Sequence, residues 1–230
     1  MAKILFVMTG ASFWTLEDGT RHPTGYWAEE FTAPYTALIG ADHEIVVATP
    51  GGVVPYVDAM SLRPSMAGGE QIALEQEEIL RSAEELRRPI ELANARLEDY
   101  EAVYYPGGHG PMEDLCNDAD SGRLLIAALS SGQPLAIVCH GPAALLATRW
   151  RGVSPFAGYQ VTGFTNDEED AVGLAAKARW LLEDELVTLG VHFTRGEIWK
   201  PYTVVDRNLY TGQNPASAEP LAQELLKVLN

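Results

Sequence analysis

The stretch Leu135-Ala136-Ile137-Val138-Cys139-His140-Gly141-Pro142-Ala143-Ala144-Leu145-Leu146 decides how the chain is read. Four apolar residues without alternation describe a strand buried on both faces, and the Gly-Pro-Ala-Ala-Leu-Leu run describes the opening of a helix. Pro142 suits a first helical turn, where its missing N–H has no partner to lose. Cys139 therefore falls at a sharp strand-to-helix junction, the kind of turn that holds a nucleophile exposed in a strained conformation. In a parallel sheet such junctions lie at the C-terminal ends of the strands, where ligands bind. The following helix points its positive end at the sulfur. The expectation is an exposed thiol of lowered pKa, present as thiolate.

Outward from this stretch, short apolar runs bounded by Gly, Pro or Asp recur at 4–8, 44–49, 102–105, 134–138 and 203–206, separated by longer helical segments. That alternation predicts an α/β fold with a doubly wound, mostly parallel sheet and helices on both faces. The first helix should open near Gly25 and carry Trp27, Phe31, Pro34, Tyr35 and Leu38 at helical intervals, with Pro34 kinking it. Further helices are expected over 69–91, over 175–189 ending at Gly190, and over 216–229. With no repeat, low-complexity tract or long linker, residues 1–230 read as one domain.

Composition narrows the function. Of 230 residues, 47% are hydrophobic and 21% charged, enough to build a core without disulfides or a structural metal. Sixteen Lys and Arg face 32 Asp and Glu, a net charge of −16, which argues against unspecific binding to nucleic acid or anionic membrane. The apolar run Ile4–Met8 is too short for a signal-peptide core or a membrane span. Cys116 and Cys139 form neither a disulfide scaffold nor the paired spacing of a zinc site, so a reducing cytoplasm is expected.

Beside Cys139, His140 offers a proton acceptor and donor for thiolate chemistry. A second stretch, Val103-Tyr104-Tyr105-Pro106-Gly107-Gly108-His109-Gly110, follows another strand. Its glycines let backbone amides turn inward, so the N–H groups of Gly108 and His140 are candidates for an oxyanion hole. His109 reads equally as a site residue or an exposed loop side chain. The stretch is no dinucleotide fingerprint, because Glu113 stands where the third glycine would be. Glu30 on the first helix, and Glu168 and Glu169 after Thr162-Gly163-Phe164-Thr165, are candidate acids for the Cys-His pair. Residue physics does not choose among them. Cys116, in Asp114-Leu115-Cys116-Asn117-Asp118, has no base beside it and reads as a bystander.

Together these pieces resemble the ThiJ/PfpI superfamily, with its class I glutamine-amidotransferase-like, flavodoxin-like fold, and within it the branch of glyoxalase III and heat-inducible holding chaperones. The resemblance runs nearly end to end, through Thr24-Gly25 with Glu30 and Pro34, Pro106 to Gly110, Val138 to Pro142, Val161 to Thr165, and Thr211 to Ser217. It implies that Cys139 is the nucleophile, His140 its acid/base partner, Glu30 the carboxylate touching the sulfur and Glu169 the acid completing the triad, with Glu168 one residue away. It also implies a homodimer. No counterpart of the metal-binding His and Glu set of some chaperone members is found, so no metal or other cofactor is expected. No His follows His192, which counts against glutaminase chemistry. The implied reaction converts methylglyoxal or glyoxal to lactate or glycolate without glutathione, His140 moving a proton from C1 to C2. The alternatives are a holding chaperone with an exposed patch of Phe13, Trp14, Trp27 and Trp199, a protein deglycase, and a cysteine amidase or peptidase.

Overall fold

In the computed structural model, which describes residues 1–229, seven strands form one sheet in the spatial order Thr203–Asp206, Leu209–Gly212, Leu135–Val138, Ala102–Tyr105, Lys3–Val7, Glu44–Thr49, Ile90–Glu91. Every neighbouring pair is parallel except the first, which closes the edge antiparallel. The centre of the sheet is apolar because helices cover both of its faces: every residue of Ala102–Tyr105 and Leu135–Val138 is buried. The doubly wound α/β fold is the one expected, and Glu44–Thr49, Ala102–Tyr105 and Thr203–Asp206 have the expected bounds. Because Ala102–Tyr105 and Leu135–Val138 are adjacent, the turns after Tyr105 and Val138 lie side by side at the C-terminal edge.

The first helix, Ala28–Gly40, starts three residues later than expected. Tyr26 is held in a bridge to Val57, and Trp27 keeps an extended backbone at the N-cap. Pro34 lies inside this helix, and its missing N–H deprives the Glu30 carbonyl of its helical partner. The buried Tyr104 hydroxyl donates to that carbonyl at 2.9 Å, so the orphan acceptor is satisfied from the sheet. This ties Glu30 to the strand beside Leu135–Val138.

Two expected helices are broken. The one over 69–91 stops at Ser82, resumes as Glu84–Arg87 and gives way to the edge strand Ile90–Glu91, since Arg88 precedes Pro89 and leaves helical geometry. The one over 175–189 divides into a turn at Ala175–Lys177 and a helix at Leu182–Leu189, because Ala178 and Trp180 between them pack on the core instead. Gly190 ends it in the left-handed conformation, as expected. The last helix is Ala218–Leu229. A hairpin of Phe13–Thr15 and Arg21–Pro23, absent from the sequence reading, sits over the C-terminal edge and places Trp14 and His22 there.

Candidate active site

Cys139 has φ 59°, a left-handed backbone that costs a non-glycine residue roughly 1–2 kcal/mol. Two hydrogen bonds hold it there: its N–H donates to Gly212 O at 2.9 Å, and Phe164 N–H donates to its carbonyl at 2.8 Å. The sharp junction read from the sequence is therefore present. The exposed, ionised thiol is not. Cys139 is only 3% exposed, beneath Trp27, Met66, Phe164 and Trp199, which help enclose a cavity of about 40 Å³. Burial, then the charge of the Glu30 carboxylate, push its thiol well above the ordinary range, while the Gly108 N–H pulls the other way. The segment after it, Gly141–Thr148, is a 3₁₀ helix, and whatever its dipole contributes is outweighed by desolvation.

The same turn places His140 Nδ1 3.4 Å from Cys139 Sγ. The other ring nitrogen, Nε2, lies 2.8 Å from Glu169 Oε2, and His109 Nε2 lies 2.8 Å from Glu169 Oε1. Burial opposes the Glu169 charge, but the two imidazoles outweigh it and hold the carboxyl below the usual range. An ionised carboxylate only accepts, so both Nε2 atoms carry the proton. His140 therefore keeps its Nδ1 lone pair toward the sulfur. Burial, reinforced by the neighbouring His109, lowers the His140 pKa to about 4 despite Glu169, leaving the ring neutral near pH 7.

Glu30 closes the other side. It is wholly buried, its Oε2 accepts from Gly107 N–H at 2.6 Å, and its Oε1 has no hydrogen-bond partner. Burial pushes this carboxyl up to about 8, although Cys139 and the Gly107 N–H lower it. Near pH 7 it is mostly the neutral acid, the form that relieves repulsion with a developing thiolate. The glycines beside it are sterically required. A Cβ on Gly107 would lie 2.6 Å from His140 N and 2.9 Å from Glu30 Oε2, and Gly108 at φ 81° presses against the backbone of Gly25 and Trp27.

The DJ-1/PfpI family matches residues 24–228. The chain belongs to that family. A curated relative from Staphylococcus aureus, "Protein/nucleic acid deglycase HchA", is 27% identical over 96% of this chain and 77% of its own length. The Rapid Encystment Protein 24 KDa of Francisella tularensis has a TM-score of 0.86 at 27% identity, with both chains covered completely. Glyoxalase III from Candida albicans shares the fold, with a TM-score of 0.81 at 24% identity over 98% of this chain and 96% of that one.

Of the acids, Glu169 meets His140 and Glu30 borders Cys139, whereas Glu168 turns away from both. Its carboxylate caps the helix Asn166–Ala171 with Thr165 and accepts from Trp199 N–H, Gln213 Nε2 and Asn214 Nδ2. His109, read evenly as site or loop residue, is 8% exposed and inside the site. Its ring stacks on Trp14 at 4.9 Å and lies 4.1 Å from the His140 ring. Sequence reasoning missed Trp14 in this role, placing it in an exposed aromatic patch, yet it is 1% exposed. Phe13 and Trp27 are half-buried and Trp199 is 40% exposed, so that patch is broken up.

Among the described residues, His109, His140 and Glu169 form the one group of three able to hold a metal ion, with ligand atoms within 4.8 Å of one another. Both imidazole Nε2 atoms already donate to the carboxylate, so a metal would have to displace two protons. No described helix is long and apolar enough to cross a membrane. A second cavity of about 480 Å³ shares Trp27, Met66, His109 and Val172 with the small one and extends it to Leu16, His22 and Lys177.

Proposed function

We propose that the chain converts methylglyoxal or glyoxal to lactate or glycolate without glutathione, with Cys139 as nucleophile. The observation that carries this reading is the neutral His140 whose Nδ1 faces Sγ at 3.4 Å while its Nε2–H rests on ionised Glu169. In that arrangement the thiol proton passes to His140 as sulfur bonds to the aldehyde carbon C1, and His140 returns it to the carbonyl oxygen. In this reading the Gly108 and His140 amides and neutral Glu30 steady the developing negative charge. An imidazole base then carries the C1 proton to C2. The aldehyde carbon is oxidised to a thioester as the ketone carbon is reduced to an alcohol, so no external electron donor or acceptor enters the balance. Water cleaves the thioester, which releases the hydroxy acid and the thiol.

A cavity of about 40 Å³ over the sulfur suits a substrate of very few heavy atoms. The adjoining cavity of about 480 Å³ favours a second reading as well: the carbonyl compound could arrive as an adduct on a larger amine or thiol. The name of the S. aureus relative supports that reading. The deciding experiment supplies purified protein with methylglyoxal, without added thiol or metal, and measures lactate. Turnover that disappears in Cys139→Ala supports the assignment. Undiminished turnover in that variant, or none in the wild type, overturns it.

A further inference from the structure

We infer that His109 is a second acid/base catalyst of this site and that the two imidazoles divide the proton traffic: His140 serves the sulfur, and His109 carries the substrate's carbon-bound proton. The inference rests on the proposed dicarbonyl reaction.

The starting point is that one carboxylate supports two rings. Glu169 gives Oε2 to His140 and Oε1 to His109, each at 2.8 Å, so the two imidazoles have the same tautomer and the same means of stabilising a positive charge. They differ in where the opposite nitrogen points. His140 Nδ1 is taken up by Cys139 Sγ. His109 Nδ1 has no hydrogen-bond partner among the described residues and is not among the sealed, unpartnered atoms of the interior. Trp14 and His140 pack against the His109 ring, with the His22 ring edge-on at 6.4 Å. His109 is also one of four residues that line both the small cavity over the sulfur and the larger one beside it, where a substrate bonded to Cys139 must extend. A side chain that only braced Glu169 would need neither that free nitrogen nor that position.

The chemistry requires two proton movements. When sulfur adds to C1, the S–H proton goes to His140 Nδ1 and then to the carbonyl oxygen, giving a hemithioacetal and restoring neutral His140. The C1–H proton then leaves to His109 Nδ1. The C1–H electron pair becomes the C1–C2 double bond of an enediolate, and Glu169 offsets the charge on the His109 imidazolium. The same nitrogen returns the proton to C2 as the C1 hydroxyl proton passes to the C2 oxygen, which leaves a thioester on Cys139, an alcohol at C2 and His109 neutral again. Each ring ends as it began, and nothing besides substrate and water is consumed.

His109→Gln isolates this role, because its amide can still donate to Glu169 Oε1 but cannot accept and return a proton. The assay combines lactate formation from methylglyoxal with intact-mass measurement of the covalent adduct on acid-quenched protein. With methylglyoxal deuterated at the aldehyde carbon, wild-type lactate should keep part of the deuterium at C2. The Gln variant should still form the adduct at near wild-type rate while lactate formation falls about 100-fold or more. Lactate formation within a few-fold of wild type overturns the inference and leaves the parent reading standing. Loss of the adduct together with lactate also overturns it, since His109 would then be serving His140 rather than substrate. A wild type that makes no lactate would instead sink the parent reading.

Discussion

The two cysteines of this chain differ less in burial than in company. Cys139 is 3% exposed and Cys116 is 4% exposed, and burial pushes both thiols up, Cys116 to about 12. Cys116 sits in a 3₁₀ turn at Leu115–Asn117, donates to Met112 O at 3.2 Å and accepts from Asn117 Nδ2, so its sulfur is used up by neutral neighbours. Cys139 is bent into a left-handed backbone and faces an imidazole and a carboxyl group beside an enclosed cavity of about 40 Å³. Exposure and thiol acidity, which sequence reasoning took as the signs of a nucleophile, do not separate the two. A base with a free lone pair beside the sulfur does.

The largest expected effect breaks that contrast outright. Cys139→Ala should lower lactate formation from methylglyoxal by about 10⁴-fold or more, while Cys116→Ser should leave the rate unchanged, measured side by side on proteins of matched circular dichroism. Next come the adjacent acids. Glu169→Gln removes the charge that orients and stabilises both imidazoles, and kcat/KM should fall by roughly 10²–10⁴. Glu168→Gln instead disturbs a buried cap, so its effect should appear in urea unfolding as a loss of roughly 1–3 kcal/mol.

How much of this was legible follows from what each element depends on. The central strands were readable because Val103 to Tyr105 and Leu135 to Val138 are covered on both faces and so are apolar at every position. The junction at Cys139 was readable because Gly141-Pro142 marks a chain reversal after a strand. The hairpin Phe13–Thr15/Arg21–Pro23 was not, since three-residue strands carry no period. Nor could one sequence choose between Glu168 and Glu169, which differ by the 100° step of a helix rather than by chemistry. The sulfur's burial was missed because Trp27, Met66 and Trp199 come from three distant segments.

Smaller effects sharpen the role of Glu30. With His140 neutral above about pH 4 and Glu30 protonated below about 8, activity should be greatest between those values and decline as Glu30 ionises. In Glu30→Gln the alkaline limb should disappear, because the side chain is neutral throughout. The carboxyl's ordinary pKa of 4.5 is raised to about 8 on folding, so from pH 4.5 to 8 the native state holds a proton that the unfolded chain has released. Folding stability contributed by this group is therefore full below about 4.5 and is lost as pH rises toward 8, and Glu30→Gln should flatten that slope in denaturant titrations. For Tyr104→Phe the expected effect is on stability, of the same size as for Glu168→Gln. The substitution leaves the Glu30 carbonyl, already deprived of its helical donor by Pro34, without a partner and should cost roughly 1–3 kcal/mol of stability.

Peptide mapping of protein quenched with acid during methylglyoxal turnover separates the two sulfurs most directly. A single three-carbon adduct on the Cys139 peptide, with Cys116 unmodified, is the result expected. Sustained lactate production with that peptide bare, or with the adduct on Cys116, would contradict the account.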